Sequence, residues 1–304
     1  MDFSLIILQP FLLIALGFVL SKHRLFPKSL WSGVEVLVYY VLFPPLLFNS
    51  VANAKLVFTE TSVFLFCGLA SMFVAVFLSW LVSKIAPVDS VADASLRQCG
   101  YRFNSFIGFA IVLALYGQTG MALFALLVGV WVPICNSIAV ADLATATRKE
   151  GQGLRVIIKS ILRNPLILAT LAGLTFNVLG LAMPNMVTAL FKSLGSASLV
   201  LALMAIGSGL KVQEFQAHKM MMALASLQRL IWVPAVSFVL GRLLGLDSVE
   251  MGALLCFTVL PTANSCYILA VRMGGNGSLV ANLTTLQTIL SIATIPCWLW
   301  LLQN

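Results

Sequence analysis

From Leu254 to Arg272 the chain reads LLCFTVLPTANSCYILAVR. The stretch is apolar enough for the core of a bilayer, yet Pro261, Thr262, Asn264 and Ser265 stand at its middle. Proline cannot donate a backbone hydrogen bond and its ring clashes with the preceding turn, so a helix opens there. In lipid, an opened backbone survives only where protein or a water-filled cavity satisfies the freed groups. A polar break at this depth is therefore costly, and breaks in corresponding halves of a chain point to a binding site at mid-membrane.

The rest of the chain makes lipid the solvent. Of its 304 residues, 61% are hydrophobic and 9% charged, and the mean hydropathy is +1.04. Soluble domains carry about 25% charged residues. A membrane span takes about 20 mostly apolar residues, and that measure predicts ten. The first five run roughly over Phe3–Leu20, Trp31–Val51, Thr61–Ser83, Leu96–Leu115 and Gly120–Ala141. The second five run over Ile157–Leu179, Met186–Leu210, Met220–Leu243, Val249–Val271 and Leu279–Leu302. Long apolar runs, rather than short alternating ones, argue against a transmembrane barrel. The opening MDFSLIILQPFLLIALGFVL has no basic start and no small-residue cleavage site, so it reads as a retained first span.

Charge sets the expected orientation. Thirteen of the 18 Lys and Arg residues fall in or beside the loops after odd-numbered spans, among them Lys22, Lys28, Arg148, Arg163 and Arg272. Positive loops stay in the cytoplasm, so both termini are expected on the non-cytoplasmic side of a cell (inner or plasma) membrane. The net charge of +8 is then topology and gives no reason to expect a nucleic-acid partner. The six cysteines have neither metal-ligand nor redox spacing and read as small buried residues. His23 and His218 fall in basic loops. Neither a metal nor a cofactor is expected.

Ten spans divide into five and five, and an odd number per half inserts the halves with opposite topology. A shift of 160 residues aligns Asn104-Ser105 with Asn264-Ser265, Ala110 with Ala270 and Gly117 with Gly277. A shift of 155 aligns Pro10 with Pro165. The expected architecture is an all-α polytopic membrane protein with a 5+5 inverted repeat. The repeats are residues 1–142 and 157–304, and the basic stretch 143–156 links them. Span 4, LRQCGYRFNSFIGFAIVLALYG, becomes the partner of the opening stretch. It has no proline, but Gly100, Arg102, Asn104, Ser105 and Gly108 weaken its helix. Two broken spans meeting as a cross would present half-helix N-termini, whose partial positive charge and unpaired N–H groups suit an anion.

Other polar residues have two readings each. Arg102 either faces an anion or snorkels to headgroups. Glu35 is either interfacial or the proton-linked or structural partner of a basic group. Arg229, halfway along span 8, should meet a carboxylate or a helix C-terminus. Pro44 and Pro45 kink span 2, either for packing or as a wall of a cavity, with Asn49 and Ser50 following within two turns. Ala205 to Lys211 offers small residues for close helix approach, either as a packing or sliding surface or for substrate contact. Asn136 in span 5 and Gln287, Thr288 and Ser291 in span 10 would lie beside the breaks.

These residues resemble the auxin efflux carrier family in its bacterial permease branch. The resemblance rests on VLFPPLLFNSVA, YRFNSFIGFAIVLALYG, RNPLILATLAGL, LMAIGSGL and the run from LPTANSCYILAVR to the C-terminus, and it covers essentially the whole chain. It implies a scaffold of helices 1, 2, 6 and 7 and a moving transport domain of helices 3–5 and 8–10, with helices 4 and 9 broken and crossed. Plant carriers have proline at both crossings; here only Pro261 is present, and span 4 has Asn104 and Gly108 instead. Substrates in the family are small organic anions, dicarboxylates in bacteria and auxin in plants.

The expected function is a secondary transporter of elevator type, a permease for a small organic anion in the lipid bilayer, with a homodimer possible through the scaffold helices. The expected binding residues are Asn49, Arg102, Asn104, Ser105, Pro261, Thr262, Asn264 and Ser265, with hinges at Pro44, Pro45, Gly108 and Pro261. An anion channel or an ion-coupled symporter of the same fold are the alternatives. An enzyme would need a cluster of His, Asp, Glu, Ser or Cys on facing spans, and the sequence offers none.

Overall fold

The computed structural model describes residues 3–54, 58–147, 164–210 and 218–303. Among these every regular element is helical. We number them α1 (Phe3–Leu20), α2 (Lys28–Leu37), α3 (Phe43–Ala52), α4 (Phe58–Ile85), α5 (Ser90–Arg97), α6 (Ser105–Thr147), α7 (Pro165–Val178), α8 (Asn185–Gly209), α9 (Lys219–Leu227), α10 (Val233–Leu243), α11 (Ser248–Thr258), α12 (Ser265–Met273) and α13 (Gly277–Gln303). Six helical stretches, 28–52, 61–85, 90–147, 185–209, 219–243 and 277–302, are long and apolar enough to cross a bilayer, and shorter apolar helices lie between them. The protein is a multi-pass helical membrane protein.

Two continuous helices change winding just before a proline. α2 runs into α3 through a π-helical turn, Val38–Leu42, and α9 runs into α10 through another, Gln228–Trp232. Pro44, Pro45 and Pro234 have no N–H to give to the turn before them. The ladder widens instead: Phe43 N–H donates to Val38 O, and Val233 N–H to Gln228 O. So Pro44 and Pro45 act through a wide turn that precedes them.

α6 is two arms. Gly117 has φ +59° and ψ −152°, outside the helical region and open to glycine. The chain reverses there, and residues 105–116 and 118–147 form the arms. The second arm continues to Thr147, so residues 143–147 of the stretch read as a linker are helical. The remainder of that stretch, and residues 157–163 of the expected sixth span, lie outside the described residues.

Two helices start on aspartate caps. Asp89 accepts from Val91 N–H (3.1 Å) and Ala92 N–H (2.9 Å). Asp247 accepts from Val249 N–H (2.7 Å) and Glu250 N–H (2.8 Å), and Glu250 returns the bond to Asp247 N–H (3.2 Å), a full capping box. The Asp89 cap starts the helix of the expected fourth span at Ser90 rather than at Leu96, because it satisfies the first-turn amides.

α1, α3, α7 and α8 pack chiefly on one another. A Cβ at Gly207 would lie 1.8 Å from Ile14 O, so α1 and α8 touch backbone to backbone. Asn177 Nδ2 fastens α7 to the end of α3, reaching the carbonyls of Val51 (3.0 Å), Ala52 (3.2 Å) and Ala54 (2.6 Å). Such small-residue and amide contacts hold helices together where lipid removes the hydrophobic drive between them. The other helices surround α6, α11 and α12, and contacts such as Phe43 against Phe106 (4.9 Å) and Phe109 (5.0 Å) join the two groups. Five of the six cysteines are buried free thiols and Cys297 is exposed.

Candidate functional site

Both expected breaks are present. α5 tightens into a 3-10 turn, Gln98–Gly100, and the chain is non-helical from Tyr101 until α6 begins at Ser105. α11 ends at Thr258, and the chain is non-helical until α12 begins at Ser265. The breaks bond to each other. Asn104 N–H donates to Pro261 O (2.8 Å), and Arg102 Nη2 donates to Ser265 Oγ (3.0 Å). Gln98 Nε2 donates to Cys266 O (3.2 Å), and Arg102 Nη1 also bonds Gln98 Oε1. Thr262 Oγ1 lies 2.7 Å from both Cys99 O and Gln287 Oε1, with one proton to give.

The carbonyls freed where the helices end are also met from outside the crossing. Arg229, fully buried, donates through Nε to Leu260 O (2.7 Å) and through Nη2 to Phe257 O (3.5 Å). Its cation therefore sits at the C-terminus of α11, the negative end of that helix. Of the two partners expected for it, the structure shows the helix C-terminus. Trp131 Nε1 donates to Tyr101 O (3.0 Å), and Gln287 Oε1 accepts from Thr262 N–H (3.0 Å). Gln228, set inward by the second π-turn, reaches Ala75 O (2.8 Å) and Ser79 Oγ (2.8 Å).

A cavity of about 540 Å³ lies against the crossing. Arg102, Asn104, Ser105, Asn264 and Ser265 line it, joined by Asn136, Glu35, Tyr39 and Thr170. The N-terminal turns of α6 and α12 both reach it through Ser105, Phe106 and Ser265, and the first amides of a helix lack intrahelical partners. Among the described residues the side-chain amides of Asn104 and Asn264 are uncommitted: Oδ1 of buried Asn104 meets no partner there, and Asn264 heads α12 with no side-chain cap bond. An amide can present either its N–H₂ or its carbonyl end. Arg102 is 6% exposed, so it does not snorkel.

A second cavity of about 670 Å³ adjoins the first and shares Glu35, Asn264 and Ile268 with it. It extends to Ser21, Lys22 and Lys28, while the first extends to Arg272. Both thus reach the basic loop side. Beyond the crossing, buried rings pack edge to face: Phe103 on Phe257 (4.7 Å), Phe109 on Phe124 (4.7 Å) and Phe124 on Phe257 (6.0 Å).

The other expected site residues have different places. Pro261 and Thr262 are buried behind the cavity wall and hold the crossing. Asn49 is buried and lines neither cavity; Asn53 Nδ2 donates to its carbonyl (2.8 Å) and its Oδ1 (3.1 Å). Gly108 lies past the break, inside α6, where a Cβ would meet Phe124 Cζ at 2.3 Å. Thr288 and Ser291 bond carbonyls of their own helix. Sequence reasoning places Trp131 deep between helices but missed its bond to the break, and it missed Gln98 and Gln228 altogether. The one signal for them was polar or indole groups standing inside apolar runs.

A helical membrane protein whose broken helices cross beside a polar cavity has the architecture of a membrane carrier. The family model described as membrane transport protein matches residues 3–299. The chain therefore belongs to that family, the auxin efflux carriers. Among its relatives, an uncharacterized transporter of Methanocaldococcus jannaschii is 23% identical over 316 residues, covering 100% of this chain and 99% of the relative. A Rhizobium meliloti protein named "Putative malonate transporter" is 21% identical over 305 residues, covering 98% of this chain and 95% of its own. The family and the relatives' names are those of transporters, not enzymes.

Proposed function

We propose that this protein is a secondary carrier for a small organic anion of dicarboxylate size, working by alternating access. The observation that carries the reading is the pair of uncommitted amides, Asn104 and Asn264, in one cavity wall with Ser105, Ser265 and Arg102. A carboxylate there would meet amide N–H₂ groups, two helix N-termini and a fixed cation. The name of the Rhizobium relative makes malonate the first substrate to test.

The reading includes ten spans in a 5+5 inverted repeat. Its support is the order of helices and the Asp-Ser-Val cap sequence that opens both broken spans, at Asp89 and Asp247. It also includes an elevator motion. The glycine-tight group of α1, α3, α7 and α8, with α2, would be the scaffold, and the crossing with its surrounding helices would move. The apolar rings between the groups favour sliding, and the aromatic stack beyond the crossing favours a carrier over an open pore. With basic loops in the cytoplasm of a plasma-membrane protein, the cavities open inward in this state.

Proteoliposomes loaded with malonate should exchange external radiolabelled malonate with saturable counterflow. Asn264→Ala should lower the exchange rate about ten- to a hundredfold, the worth of a hydrogen bond to a charged group, while the purified variant keeps its elution profile and unfolding temperature. Unchanged exchange in that variant sinks the site assignment, and uptake without counterflow favours a channel.

A further inference from the structure

The chain has ten acidic residues, and most of the described ones have a structural task. Asp89 and Asp247 cap helices, and Glu250 closes the capping box. Asp93 and Asp142 pair with Arg97 at 2.8 and 3.7 Å. Glu35 does none of this. It lies seven residues into the helix that begins at Lys28, about 10 Å along its axis, and no ion pair among the described residues includes it. It is one of three residues that line both cavities, and the other two, Asn264 and Ile268, belong to the crossing. Glu35 and Asn264 thus share both cavities that reach the basic side.

We propose that Glu35 is a proton-binding site coupled to anion occupancy. The inference rests on the reading of the cavity as an anion site. A charged Glu35 repels an anion held at Asn264 across the cavity, and a neutral one does not. Occupancy therefore raises the proton affinity of Glu35, and protonation raises anion affinity by the same factor, since binding linkage is reciprocal. Anion binding is then tightest at low pH and weakens as pH rises through the titration of Glu35.

The groups that face the same cavities fix the background. Arg102, Arg272 and Cys135 line the first, with Tyr39 and Tyr40 on the helix of Glu35 itself. Lys22, Lys28 and Tyr267 line the second, where α8 presents Ser208. Glu35 is the one carboxylate among the residues that line either cavity. Glu35 belongs to the stretch packed against α8, and Asn264 belongs to the crossing. In the proposed elevator motion Glu35 stays with the scaffold, so the proton gates the site from the basic side and does not travel with the anion.

The experiment is calorimetric titration of the purified full chain with malonate, in two buffers of different ionisation heat, at several pH values between about 5 and 8. Wild type should take up close to one proton more per bound malonate than Glu35→Gln, which removes malonate's own protonation from the comparison. Its Kd should weaken by up to about tenfold per pH unit, whereas that of Glu35→Gln should follow only malonate's own ionisation. Glu35→Asp should restore the proton uptake. Equal proton uptake and equal pH slopes in wild type and Glu35→Gln overturn the inference and leave the anion site standing. No malonate binding by any form overturns the anion reading, and this inference with it. A second measurement needs no folded variant: malonate exchange by wild-type proteoliposomes should fall as pH is raised equally on both sides, and a rate that holds or rises overturns the proton gate.

Discussion

The two broken helices do the same job with different chemistry. The second break has a proline, and the carbonyls around it are met by Arg229 and by Asn104 N–H. The first has no proline. Tyr101 stands there instead, with φ −130° and its N–H turned to Gln98 O at 3.4 Å. A proline at 101 would have to hold φ near −65° and would lose that bond. The first break is therefore made by its partners: Trp131 on Tyr101 O, Thr262 near Cys99 O, and the two bonds of Arg102. A helix can stay open deep in the membrane without proline, provided something answers each freed backbone group. Proline lowers the cost of opening, and the surrounding donors make the opening permanent.

The comparison can be broken most directly at Arg229. Arg229→Met would leave the buried carbonyls of Leu260 and Phe257 without donors, at about 2–4 kcal/mol after the gain from removing a desolvated charge. The midpoint of thermal unfolding in detergent should fall more for this variant than for loss of the proline in the same break. A midpoint within a degree of wild type would mean that the second break does not depend on the cation.

A smaller effect is expected from proline at the first break, read as Tyr101→Pro against Tyr101→Ala, because either change removes the fully buried Tyr101 ring. Strained backbone and a lost hydrogen bond cost about 1–3 kcal/mol, so Tyr101→Pro should unfold below Tyr101→Ala. The same unfolding measurement decides it, and a midpoint above that of Tyr101→Ala would show that the first break tolerates proline geometry. The smallest effect belongs to Pro261→Ala. With Arg229, Asn104 and Gln287 all still in place, the change should cost less than about 1 kcal/mol. Malonate exchange should stay within about threefold of wild type, and its loss would show that proline, not the donors, keeps the second break open.

The parts of the site legible in sequence were those with a local signature. Pro261 inside an apolar run announced a break, and Asn104-Ser105 answered Asn264-Ser265 at a fixed offset. Arg229 pointed to a helix end or a carboxylate, because a mid-span charge must have a partner. The donors that hold the breaks were not legible. Gln228 acts on residues near 75, 79 and 100, and Trp131 acts on Tyr101 thirty residues away. Nothing near them in the chain distinguishes these from glutamine or tryptophan packed for other reasons. Asn49 shows the converse: an asparagine beside two prolines looked like a cavity wall, and it is tied to Asn53 on its own helix.

Composition and the spacing of apolar runs were enough to specify a helical membrane protein, because lipid leaves the backbone few ways to satisfy itself. The imbalance of Lys and Arg gave the expected side of each loop, and one proline gave the depth of one break. The sequence could not show which groups meet. Arg102 reaches Ser265 across 163 residues, and Glu35 and Asn264 line the same two cavities from opposite ends of the chain. Burial drives the backbone groups freed at the crossing to find partners, but which partner each finds depends on how the helices pack against one another.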